Sequence, residues 1–174
     1  IKQLKVHGAR DVAKAAVLAL SYRHDKKAIQ KLISLRPTEP CLRNAVRFVL
    51  ADKNLNQGMS SALKHFQTAT EKISDIGSRL IENNSIVFTH CHSNTVAALL
   101  IKAKKQGKKF EVRCTETRPL YQGRLMAKQL AKAKIPVTLY VDSAARLALK
   151  KADIAIYGCD ALTTTKIYNK IGSE

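Results

Sequence analysis

The chain has 174 residues, 45% of them hydrophobic, with 31 Lys and Arg against 13 Asp and Glu for a formal net charge of +18. That length suits one full domain, or a small helical domain joined to part of another, and the composition is globular rather than disordered or fibrous. No apolar run reaches the roughly 18 residues of a membrane span, and the opening, with Lys2, Lys5, His7, Arg10 and Asp11, does not read as a secretory leader, so a cytoplasmic location with no membrane partner is expected.

Taken in order, the first half reads as helices: Leu4 to Tyr22, Lys26 to Leu35, Pro40 to Lys53, and a long one from Met59 to Glu82. In the last of these Leu63, Phe66, Ala69, Ile73, Ile76 and Leu80 recur at helical spacing, which predicts one apolar stripe. The pattern changes at Asn83-Asn84. Beyond it, β-rich runs at Ile86 to Thr89, Phe110 to Cys114, Val137 to Val141 and Ile154 to Tyr157 alternate with amphipathic stretches at Thr95 to Gln106, Gly123 to Ala133 and Ala144 to Lys150. Such alternation implies an α/β fold: a helical domain over 1–83, then a Rossmann-like parallel sheet with right-handed crossovers over 84–174.

Much of the positive charge is lysine on helix surfaces and near helix ends (Lys102, Lys104, Lys105, Lys108, Lys109, Lys128, Lys132, Lys134). Lysine there complements the helix dipole and maintains solubility. With no Trp, five Tyr and four Phe, the chain is poorly supplied with stacking surfaces for single strands, and nucleic acid is not the expected partner. Phosphorylated metabolites draw on the same positive field.

In an open parallel sheet, ligands bind beyond the carboxyl ends of the strands. That rule selects His90, Cys91, His92 and Ser93 after the first strand, and Thr115, Glu116, Thr117 and Arg118 after the second. It adds Asp142 and Ser143 after the third, then Gly158, Cys159 and Asp160 after the fourth. No GxGxxG follows the first strand, so a dinucleotide site has no support. The four cysteines (Cys41, Cys91, Cys114, Cys159) form no CxxC pair, which fits a reducing compartment. Cys91, where a strand gives way to a helix, can act as base or nucleophile, or simply fill space as a small apolar side chain. Consecutive residues on an extended chain point to alternate sides, so His90, Cys91 and His92 do not suit one tetrahedral metal. Asp160 in a dry pocket can give and take protons near neutrality, or cap the turn that follows it. Asp142-Ser143 resembles an N-cap pair before the next helix. Arg36 and Arg118 each precede a proline, which stiffens the backbone beneath a guanidinium suited to phosphate.

Read in order, His7-Gly8-Ala9, Arg36-Pro37-Thr38, Thr89-His90-Cys91, Glu116-Thr117-Arg118-Pro119 with Gln122-Gly123, Asp142-Ser143-Ala144, Gly158-Cys159-Asp160 and Asn169-Lys170-Ile171-Gly172 resemble one superfamily. It contains methylthioribose-1-phosphate isomerase, archaeal ribose-1,5-bisphosphate isomerase and the regulatory subunits of translation initiation factor 2B. Arg36-Pro37-Thr38-Glu39-Pro40, Leu42-Arg43-Asn44-Ala45 and the opening Ile1 to Ala9 look closer to the archaeal bisphosphate enzyme. The resemblance implies an aldose-ketose isomerase of nucleotide salvage that converts ribose 1,5-bisphosphate to ribulose 1,5-bisphosphate, with Cys91 and Asp160 as the catalytic pair. Methylthioribose-1-phosphate isomerase or a non-catalytic regulatory subunit are the alternatives. The regulatory subunits typically lack the Cys/Asp pair, which favours an enzyme. The same resemblance implies substrate contacts at Gly8, Ala9, Arg36, Arg118, Gln122, Asn169 and Lys170, no metal or other cofactor, and a homo-oligomer, dimer or hexamer. The chain begins without Met and stops at Glu174, where that family continues, so a fragment with an incomplete sheet is expected.

Overall fold

The structure, a computed structural model, describes Val6 and residues 8–169. His7 and Lys170, both in the motifs above, lie outside the described residues. Two compact units divide the chain: the described residues of Ile1–Ala69 with Cys159–Tyr168, and those of Thr70–Gly158 with Asn169. The change from helices to α/β alternation falls at Asn83-Asn84, whereas the division between units falls inside the long helix Leu55–Arg79.

In the first unit, α1 (Ala9–Ala19), α2 (Lys26–Ser34), α3 (Pro40–Leu50) and the start of α4 (Leu55–Arg79) enclose one core. Val12, Ala16 and Val17 of α1 and its C-cap Leu20 meet Leu42, Val46 and Val49 of α3, with Leu32, Met59 and Ala62 closing the cluster. Asp25 caps α2 by accepting the Ala28 amide at 3.0 Å, and Pro40 opens α3, where its missing N–H costs nothing. A short antiparallel hairpin, β5 (Ala161–Leu162) with β6 (Ile167–Tyr168), belongs to this unit. Two residue pairs around a polar Thr-Thr-Thr-Lys turn are too brief to leave a periodic signal.

The second unit holds the sheet: β1 (Ser85–Thr89), β2 (Phe110–Thr115), β3 (Val137–Tyr140) and β4 (Ile154–Ala155), in the order β3-β2-β1-β4 and parallel throughout. The fold class is the expected α/β, N-terminal helices followed by a parallel sheet. Register puts Val137, Val112, Val87 and Ile154 in one row across all four strands. That row meets Val96, Leu99 and Leu100 of α5 (Asn94–Lys105) and Met126 and Leu130 of α6 (Gln122–Lys132) in a continuous core. The connections β1→β2→β3 step one way, and β3→β4 returns across them through α7 (Ala145–Leu149). With right-handed crossovers, α7 covers the opposite face, where Arg113 donates to the Lys150 carbonyl at 2.8 Å. Chain order therefore reverses between β1 and β4, and β4 pairs over fewer residues than the Ile154 to Tyr157 run predicts.

The predicted stripe of α4 does not form one buried face. Leu63 and Phe66 pack on the first core, but Ile73, Ile76 and Leu80 are 47%, 65% and 59% exposed, and Ser74, Gly77 and Ser78 are buried instead. The reason is close approach: a Cβ on Gly77 would lie 2.0 Å from Leu99 Cδ1 of α5, so small residues face α5 and large ones cannot. Lys108 closes the end of α4 by donating to the carbonyls of Ser78 at 2.7 Å and Ile81 at 2.6 Å. Among the described residues no helix is long and apolar enough to cross a membrane.

Candidate active site

The reversal of strand order between β1 and β4 marks the crevice where doubly wound sheets bind ligands. Cys91 stands there, two residues past β1, 7% exposed and with φ 67°, a region that L side chains adopt only when their surroundings hold them there. What holds it is visible: the Cys91 amide donates to Thr117 Oγ1 at 3.0 Å, and its thiol donates to Gln122 Oε1 at 3.2 Å. Gln122 is the first residue of α6, and it reaches Cys91 because Gly123 lets α6 start against the end of β2. A Cβ on Gly123 would lie 1.7 Å from the Thr115 carbonyl oxygen.

Thr117 is itself left-handed, with φ 59°, and is fixed from β3. Asp142 accepts the amides of Thr117 at 2.8 Å and Arg118 at 2.7 Å. The expected N-cap role for Asp142 is thus corrected: it opens the 3₁₀ turn Asp142–Ala144, whose N-cap is Val141 with no side-chain cap, and its carboxylate serves the loop after β2. Burial pushes the Asp142 carboxyl upward, but the amides of Arg118 and Thr117, the nearby His90 and the Thr115 hydroxyl together hold it below its ordinary value.

His90 Nδ1 is hydrogen-bonded to Thr115 Oγ1, and its Nε2 is buried without a partner. His92 Nε2 pairs instead with Gln129 of α6 at 2.9 Å. The two histidines thus serve different elements, and among the described residues no group of three or more His, Cys, Asp or Glu side chains is placed to hold a metal ion. On the rim, Glu116 is buried and pairs with Arg124 at 2.6 Å. Arg124 lies 3.9 Å over the Tyr121 ring and Arg118 5.4 Å from the same ring. Arg124 therefore has its counter-ion, whereas the Arg118 guanidinium is exposed and makes no ion pair among the described residues.

The second unit brings Cys91 and Gln122 together, and Arg118, next to the Thr117 that holds the Cys91 amide, and Asn169 belong to the same unit. Gly8, Ala9, Arg36 and Asp160 belong to the first. Gly8, at φ 84°, precedes α1, and Ala9 begins it, where first-turn amides have no acceptor within the helix. Arg36 is partly committed: Nη2 donates to the buried Glu39 at 2.9 Å, while Arg36 Nη1 and Glu39 Oε2 are buried without partners. Asp160 leads into the β5–β6 hairpin, its amide donating to the Tyr168 carbonyl at 2.9 Å. Among the remaining cysteines, burial pushes Cys114 up to about 11, and Cys159 is exposed. Sequence reasoning selected the strand ends but not Thr117 or Asp142 as the supports of Cys91. The signal that would have found them is the β2–β3 register, Thr115 opposite Tyr140.

The model of the Initiation factor 2 subunit family matches residues 7–174. The chain belongs to that family. Its relatives include a ribose 1,5-bisphosphate isomerase of Thermococcus kodakarensis, 34% identical over 99% of this chain. Another is a putative translation initiation factor eIF-2B subunit 2-like protein of Pyrococcus furiosus, 29% identical over 99% of this chain and covering 68% of its own length. Among solved structures, the translation initiation factor eIF-2B of Pyrococcus horikoshii OT3 superposes with a TM-score of 0.87 at 27% identity, covering 99% of this chain and 68% of that one. This chain spans 63% of the length of the Thermococcus isomerase.

Proposed function

We propose that the protein is an aldose-ketose isomerase that converts ribose 1,5-bisphosphate to ribulose 1,5-bisphosphate, with Cys91 and Asp160 as its proton-transfer groups. The observation that carries the reading is Cys91: a nearly buried thiol held in a left-handed backbone at the reversal of strand order, with Gln122 on its sulfur. A packing cysteine needs none of this support. The 34% identity to ribose 1,5-bisphosphate isomerase adds to it.

A sugar whose anomeric oxygen is phosphorylated cannot open its ring unaided. In the proposed sequence Asp160 gives a proton to the ring oxygen as its bond to C1 breaks. Cys91, as thiolate, takes the C2 proton, and the C1–C2 double bond of an enol forms. The C2 hydroxyl then loses its proton and C1 gains one, leaving the C2 ketone with no net change in protons or electrons. Arg118, Arg36, Lys170 and the amides at Gly8 and Ala9 are assigned to the phosphates, and Gln122 and Asn169 to the sugar oxygens. The protein assembles as a homo-oligomer in this reading. Incubation of the protein, expressed from its complete open reading frame, with ribose 1,5-bisphosphate should yield the ketose. No turnover of this substrate by folded protein would remove the reading, and turnover of methylthioribose 1-phosphate instead would reassign the substrate.

A second reading, a non-catalytic subunit of a translation-factor assembly, is favoured by the TM-score of 0.87 with the Pyrococcus horikoshii factor. Stoichiometric capture of an initiation-factor subunit, without isomerase activity, would establish it over the first.

A further inference from the structure

The loop after β2 and the turn after β3 are joined by more bonds than a cap requires. Both oxygens of Asp142 are occupied by consecutive amides, Thr117 at 2.8 Å and Arg118 at 2.7 Å. The hydroxyl of that same Thr117 accepts the Cys91 amide at 3.0 Å. Cys91, Thr117 and Tyr121 have φ of 67°, 59° and 52°, so Cys91, the residue that holds its amide and the residue before Gln122 are all left-handed. Each such residue relaxes toward ordinary backbone once its restraint is removed.

We propose that Asp142 is a positioning residue for Cys91: by holding the Thr117 and Arg118 amides it keeps the Thr117 hydroxyl under the Cys91 amide, and so keeps the thiol on Gln122. The Arg118 amide is held by the same carboxylate, so one side chain fixes both the support of the thiol and the backbone from which the Arg118 side chain leaves. The consequence for turnover rests on the isomerase reading; the coupling itself does not.

Alkylation separates the two. Cys91 is 7% exposed and Cys114 fully buried, so peptide mass spectrometry after iodoacetamide treatment reads the site and the core independently. Asp142→Asn keeps the shape but faces an amide nitrogen toward one of the two donors. Thr117→Val keeps the amide and removes only the hydroxyl. Each should speed Cys91 labelling about fivefold, the scale of one lost amide hydrogen bond, while Cys114 stays protected. The double variant should label no faster than the faster single one, because both changes break one chain of contacts. In turnover assays Thr117→Val, which leaves the Arg118 amide on Asp142, should lower kcat far more than it raises KM.

Unchanged Cys91 labelling in Thr117→Val, labelling of Cys114 in step with Cys91, or multiplicative effects in the double variant would each overturn the proposal. Should the protein not isomerise the bisphosphate at all, the labelling pattern would still decide it.

Discussion

Cys91 is supported at its amide by Thr117 and at its thiol by Gln122, and a serine hydroxyl fits the same two contacts. Cys91→Ser should therefore fold and bind the bisphosphate almost normally while turnover falls by at least about a hundredfold, the usual worth of a positioned acid–base group. Asp160→Asn should separate rate from binding in the same way. Calorimetric titration beside the rate assay checks both, and near-normal turnover in Cys91→Ser would make the thiol a packing residue. Arg36→Ala should weaken phosphate binding in the isomerase reading, and it has a second effect that does not depend on that reading. It strands the buried Glu39 carboxylate, and a denaturant titration should show a loss of about 1–3 kcal/mol. For Asp142 the sign follows from a carboxyl held below its ordinary 3.8: its contribution is complete above that value and is lost as pH falls through the lower folded one. The amide protons of Thr117 and Arg118, followed by NMR, should accordingly keep their shifts at pH 5 and move upfield together only at strongly acidic pH, below 3.8. At this scale the strand-end rule selects Cys91 as a candidate but does not separate a reactive thiol from a packing one. The roles of Thr117 and Asp142 are hidden there, since they depend on which loops face each other.

Helix α4 separates what periodicity can and cannot say. Apolar residues at helical spacing describe polarity, whereas α5 selects by size, and Gly77 and Ser78 are buried where Ile73, Ile76 and Leu80 are not. Ile76→Lys should therefore alter stability by no more than about 0.5 kcal/mol. Gly77→Ala, one methyl at 2.0 Å from Leu99 Cδ1, should cost about 1–3 kcal/mol. Thermal melts of the two variants side by side check this. Gly123 is less forgiving, because the clash at 1.7 Å is with backbone. The alternation that predicts the β-α-β order survives because each strand and helix there has its own period. The β5–β6 hairpin escapes for want of length.

At the scale of the whole molecule, the row Val137, Val112, Val87, Ile154 and its cover from α5 and α6 carry the sheet. Leu100, fully buried in that cover, should cost about 2–5 kcal/mol when cut to alanine. The helices-then-sheet architecture was readable because it rests on composition and period alone. The pairing that orders the strands was not, since β4 joins β1 through only Ile154 and Ala155. Nor is every one of the 31 cations unengaged: Lys102 pairs with Asp75, Arg113 with Glu111, and Lys108 closes the end of α4. Lys108 thus sets a limit on acylation. Its ammonium needs its protons for the carbonyls of Ser78 and Ile81, so an acetylating reagent should consume the exposed lysines first and reach Lys108 last. Once Lys108 is modified, two helix-end carbonyls lose their donor, and the chain should begin to melt from that point although its solubility had until then only changed with its charge.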